Sequence, residues 1–175
     1  MHQAMVDIMT DRILNQFSSE AFFCEHVLKI EQTEWNAWKF HQTPLKTEDM
    51  QKLMSLFSDY EWMLIQKLMR QTCLFPEKRH YVVSEYKRVK TLIAKKWLQE
   101  GNARIELINR TDQSQSEGPQ GYKEIFILKV FLQYEVWGYD DCLEFCLPAT
   151  VQDQIKDSSK GLLEWVNENL EEEYM

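Results

Sequence analysis

The hydrophobic period of this chain changes at Gly101, and that change constrains the fold more than any other feature of the sequence. Ahead of it, apolar residues recur at three and four: Ile8, Met9, Ile13 and Phe17, then Phe23, Val27 and Ile30. Behind it, Phe126, Leu128, Val130, Leu132, Tyr134 and Val136 alternate with a more polar register containing Lys129, Gln133 and Glu135. A period near 3.6 gathers apolar side chains on one face of a helix, and a period of two gathers them on one face of a strand. The class expected is α+β. A helical N-terminal part, about 3–100, packs on a small antiparallel β-meander, about 103–147, with a C-terminal helix behind it. At 175 residues the chain is expected to form a single domain with one main core, its helical part at 1–101 and its sheet and last helix at 102–175.

Local signals divide the helical part. Ser18-Ser19 offers a cap or kink, and Trp35, Trp38 and Phe40 precede the breaker Pro44 in an irregular aromatic segment. Thr47 is read as the cap of a helix with Glu48 and Asp49 in its first turn and a wide apolar surface from Met50 to Met69. Pro76 suits the first position of a helix running from Glu77 to Glu100 and stopping at Gly101-Asn102. Its residues Val82, Tyr86, Val89, Ile93 and Trp97 fall on one face, and Ser84, Lys87, Arg88, Thr91 and Lys95 on the opposite one. Strands are expected at Arg104–Asn109, 122–137 and 142–147. Fully extended, the second would be about 50 Å long, so a bend or bulge is expected near Lys129. The polar, breaker-rich run 111–121 reads as a flexible hairpin loop. Beyond Pro148, the capping-box pattern Thr150–Asp153 opens a short helix at 152–156. Ser159 starts a last helix with Leu162, Leu163, Val166 and Leu170 inward. Its acidic end, Glu171-Glu172-Glu173, opposes the helix dipole, so the last turn is expected to fray.

Charge is distributed as unevenly as hydrophobicity. Residues 78–104 hold eight Lys/Arg against Glu85 and Glu100, a local balance of +6 in a chain of net charge −8. A basic surface on an acidic body selects an anionic partner. A solvated face balanced by the acidic remainder is the plain alternative. Nucleic acid is the less favoured partner, because nucleic-acid modules are usually basic overall and this chain has a pI near 5.1. Six Trp, seven Tyr, nine Phe and eight Met exceed what a minimal core needs, and such side chains are enriched at recognition surfaces.

Several classes lose support. Five glycines, four of them at turn-like positions, leave neither a P-loop nor a dinucleotide fingerprint. Nucleophile-elbow and H-E-x-x-H patterns do not occur, and Cys142 with Cys146 lacks the second pair that would complete a zinc site. No cofactor, metal or catalytic residue is nominated. No secretory signal or membrane-length apolar run is seen, so a cytoplasmic location with reduced cysteines and no membrane partner is expected.

The function expected is that of a non-enzymatic interaction protein, an adaptor, regulator or inhibitor. Its candidate recognition face is Lys87, Arg88, Thr91 and Lys95, with Trp35 and Trp38 as candidate anchors. The partner expected is another protein, with a homodimer through a strand edge or the helical half as a further arrangement. The alternatives are a nucleic-acid-associated regulator using the basic helix 78–104, discriminated by steep salt dependence, and an enzyme whose site escapes motif patterns.

Overall fold

In the computed structural model of the chain, residues 1–110, 121–135, 138–157 and 161–175 are described. The fold is α+β, with helices toward both termini and a three-stranded antiparallel sheet between them in sequence. The chain forms two compact units that interleave in sequence. One comprises residues 1–57, 62–83 and 121–123, the other residues 58–61, 84–110 and the described residues from 124 onward.

In the first unit, α1 (His2–Gln16) buries Val6, Met9 and Ile13. Ser19 caps α2 (Glu20–Phe23) by accepting the Phe22 N–H at 3.0 Å. A π-helical turn at Cys24–Leu28 ends on Lys29, whose φ of 61° is left-handed. Then α3 (Gln32–His41) turns the aromatic segment into a helix whose inner face carries Trp35 and Trp38, with ring centroids 4.9 Å apart. The ring of Phe22 lies where a Cβ on Gly121 would be, so this close approach admits only glycine.

The helix expected across Met50–Met69 is two helices. α4 (Thr47–Met54) follows Lys46, which occupies the N-cap position with no side-chain bond, so Thr47 is not the cap. α5 is Asp59–Leu74. The break has a local cause: Ser58 accepts the Glu61 N–H at 3.2 Å while Glu61 accepts the Ser58 N–H at 3.0 Å, a reciprocal capping box that starts a new helix. Pro76–Tyr81 forms a 3₁₀ turn, and α6 begins only at Val82, running to Gln99. Gly101, with φ of 79°, terminates it.

The second unit is built on β1 (Ala103–Asn109), β2 (Ile125–Gln133) and β3 (Asp140–Pro148), in the order β1-β2-β3. Because β2 spans nine residues, the bend or bulge expected near Lys129 is not needed. Leu107, Leu128 and Phe145 stand in one row across the strands, and Ile105, Val130 and Leu143 in the next. In β2 and β3 these rows are fully buried. The opposite face carries the row Glu106, Lys129 and Glu144, with Lys129 paired to Glu144 at 2.9 Å. The loop 111–120, Val136, Trp137 and the Ser159 helix start lie outside the described residues.

After β3 come α7 (Val151–Asp157) and α8 (Leu162–Tyr174). Trp165, Val166 and Leu170 are the buried face of α8, while Leu163, expected inside, is exposed. The last turn does not fray. Lys95 meets Glu171 at 2.8 Å and the Tyr174 ring packs edge-on against Phe145 at 4.8 Å, so cations and an aromatic contact offset the unfavourable dipole.

Candidate functional site

At 100° per residue, the buried residues Val82, Tyr86, Lys90, Thr91, Ala94, Trp97 and Leu98 of α6 define an inner face turned by about 70° from the one expected. Lys90 is at its middle and is fully buried. Such burial needs compensation, and each ammonium proton has an acceptor. Nζ lies 2.5 Å from the Glu61 carboxylate, donates to the Glu144 carbonyl and donates to the Tyr174 hydroxyl at 3.1 Å. Phe145, Tyr174 and Tyr86 surround it with ring centroids at 4.6, 5.0 and 5.4 Å, inside cation–π range.

Glu61 completes the arrangement. Its carboxylate accepts the Glu144 N–H at 3.1 Å besides the Ser58 N–H, and the Ser58 hydroxyl donates to the Cys142 carbonyl. Three side chains thus occupy three outer backbone groups in the middle of β3, where a fourth strand would otherwise pair. Chemically this is a closed structural cluster: with three acceptors around it, the Lys90 amine is not poised as a nucleophile or base.

The remaining cations of α6 and β1 are also drawn inward or neutralised within this acidic unit. Arg88 forks onto Glu85 at 2.9 Å, Lys95 pairs with Glu171, and Lys96 approaches Glu100 at 3.8 Å. Arg104 pairs with Glu106 and lies 3.7 Å from Asp140. Of the nominated face, Lys87 is half-buried and stacks 5.6 Å over the Tyr174 ring, and Arg88 is exposed. Thr91 is 2% exposed and so does not belong to an exposed face. The nominated anchors are core residues: Trp35 and Trp38 are 0% and 2% exposed. Trp35 Nε1–H donates to Glu20 at 2.7 Å, and the Trp38 carbonyl bonds the His2 ring at 2.7 Å. The four α6 residues belong to the second unit, whereas both tryptophans are in the first.

Exposed apolar and basic side chains coincide elsewhere, at the end of α5 and the 3₁₀ turn. Every residue from Cys73 to Tyr81 is exposed, with Leu74 at 75%, Phe75 at 48% and Tyr81 at 69%. Lys78 Nζ sits 5.2 Å over the Phe75 ring, and Arg79 Nε donates to the Thr72 carbonyl at 3.4 Å. Residues 62–81 contain Lys67, Arg70, Lys78 and Arg79 against Glu77 alone. Among the described residues, none of these four cations is in an ion pair. The first unit holds ten Lys/Arg and nine Asp/Glu, and the rest of the chain ten and nineteen. The signal that could have located this surface is the Leu74-Phe75-Pro76 junction beside Lys78-Arg79: apolar side chains at a helix end have no further turn to pack them.

Two of the four thiols offer little chemistry. Burial, then the Glu20 charge, pushes Cys24 up to about 12 against the pull of Lys39. Cys142 is pushed up to about 12 by burial and then by Glu144. Both are protonated at neutral pH and are poor nucleophiles or ligands. Among the described residues, no group of three or more His, Cys, Asp or Glu is placed to hold a metal ion. No described helix is long and apolar enough to cross a membrane. An open polar cleft of about 610 Å³ is lined by Gly101, Asn102, Gln133, Tyr134, Glu135 and Asp140. In comparisons with known proteins, no family model, curated protein or solved structure matches this chain.

Proposed function

We propose that this chain is a non-enzymatic interaction protein, an adaptor, regulator or inhibitor, that captures an acidic, apolar-anchored segment of a partner protein on Leu74–Tyr81. The observation that carries the reading is the coincidence, on one fully exposed stretch, of Leu74, Phe75 and Tyr81 with Lys78 and Arg79. Exposed aromatics flanked by cations supply desolvation energy at the centre of an interface and charge selection at its rim. An acidic protein segment fits better than nucleic acid because the chain as a whole carries −8, which repels an extended polyanion beyond the patch. Four free cysteines suit the reducing cytoplasm, where we place the protein.

The test is fluorescence anisotropy with three labelled probes: a peptide alternating Asp/Glu with Leu/Phe, a neutral peptide of the same apolar residues, and a single-stranded oligonucleotide. The acidic peptide binds, binding weakens with salt, and Phe75→Ser reduces affinity at least about tenfold, the loss of one buried aromatic anchor. Preference for the oligonucleotide transfers the surface to nucleic-acid recognition. Binding of none of the probes refutes the reading.

A further inference from the structure

The two edges of the sheet are treated differently by the fold. On β3, Ser58, Glu61 and Lys90 satisfy the outward Cys142 carbonyl and both outward backbone groups of Glu144. On β1, no strand pairs on the side away from β2 among the described residues. Backbone direction alternates along a strand, so the residues that face outward can be assigned. The Gln133 N–H donates to the Asn102 carbonyl at 3.0 Å, which turns Asn102, and with it Arg104, Glu106 and Ile108, toward β2. The same parity follows from β3: Glu144 faces outward, so its pair Lys129 bonds toward β1 and Glu106. Ala103, Ile105 and Leu107 therefore present N–H and C=O to the open edge.

From this edge we infer that β1 is a self-association surface, pairing antiparallel with β1 of a second copy about a two-fold axis at Ile105 to give a continuous six-stranded sheet. Axes at Ile105, Glu106 and Leu107 each pair five or more residues of the seven in β1, and charge selects among them. An axis at Glu106 sets that carboxylate against its own copy, and an axis at Leu107 sets Arg104 against Arg110 of the other copy. The axis at Ile105 sets Arg104 opposite Glu106 twice, once on each side. It also aligns the backbone: Ile105 faces Ile105, and Ala103 faces Leu107, as hydrogen-bonded pairs. Arg104 and Glu106 then meet as a non-hydrogen-bonded pair, the closer kind, with Cα atoms about 4.5 Å apart. Within a single β1, where the two now pair, they are two residues apart, about 7 Å along the strand. The sequence Arg104-Ile-Glu106 is thus self-complementary when reversed, as an isologous interface requires.

The test is sedimentation velocity on the full chain and on two charge reversals, Arg104→Glu and Glu106→Arg, alone and mixed. Wild type is a concentration-dependent dimer. Each reversal alone creates two like-charge pairs across the axis and raises the dimer dissociation constant at least about tenfold. An equimolar mixture of the two restores the dimer, because each glutamate then faces an arginine, and this rescue also shows that both variants fold. Wild type that stays monomeric at its highest soluble concentration, or a dimer indifferent to either reversal, overturns the inference. Variants that dissociate alone and fail to associate when mixed also overturn it.

Discussion

Lys90→Met removes an ammonium whose three protons all have acceptors and leaves the fully buried Glu61 carboxylate without its Lys90 countercharge. Removing one partner of a buried pair costs about 3–5 kcal/mol. The Glu144 carbonyl, left without its donor, adds about 1–3 kcal/mol. Methionine fills much of the lysine stem's volume, so a cavity contributes little. Against a total stability of about 5–15 kcal/mol, the variant is close to its folding limit. In urea denaturation followed by circular dichroism, a loss of at least about 4 kcal/mol, the low end of the sum, moves the midpoint down by about 2 M or more at a slope near 2 kcal/mol/M. Lys90→Met/Glu61→Gln separates charge from contact. The glutamine keeps an acceptor for the Ser58 or Glu144 N–H but carries no buried charge, so the double variant recovers more than half the loss. A Lys90→Met midpoint within experimental error of wild type, or a double variant as unstable as the single one, refutes the compensation argument.

Ser58→Ala removes the cap of α5 and the donor to the Cys142 carbonyl together; the expected loss is about 1–2 kcal/mol, read from the same denaturation experiment. With a colorimetric thiol reagent at neutral pH, Cys73, the exposed cysteine, reacts fast and Cys24 and Cys142 slowly; fast reaction of all four in the folded protein contradicts the burial described. The Cys24 and Cys142 thiols have folded values pushed up to about 12 against an ordinary value of 9.0, so the folded chain holds protons that the unfolded chain releases first. Their contribution is therefore intact below pH 9.0 and is lost as pH rises toward 12, and denaturation midpoints for Cys24→Ala/Cys142→Ala fall less steeply across that window than those of wild type.

Periodicity read the class of the fold and the order of its elements well, because burial of an apolar face is a local property of the sequence. It failed where a distant partner makes burial tolerable. Lys90 reads as solvent-facing until Glu61, 29 residues earlier, is brought to it. The acidic end of α8 reads as unstable until Lys95 arrives from 76 residues away. Ser58-Asp-Tyr-Glu61 was legible as a capping box, yet the apolar residues around it continue the helical period and mask the break. Tyr134 continues the alternation of β2 past its end because an aromatic ring fits the pattern whether it is buried or, as here, 44% exposed. The exposure of the nominated residues was illegible for a related reason: counting cations finds a basic segment, but only the structure shows that Thr91, Trp35 and Trp38 are buried and that Arg88 and Lys95 are already paired.

The claim on which this account turns is that recognition belongs to the turn at 74–81 and not to the outer face of α6. Titration of the acidic peptide probe against Lys78→Glu/Arg79→Glu and, in parallel, Arg88→Glu/Lys95→Glu tests it most directly. Binding lost in the first variant and retained in the second is the predicted result, since Arg88 and Lys95 are already paired with Glu85 and Glu171. Binding retained in the first and lost in the second contradicts the account and returns the interaction surface to α6.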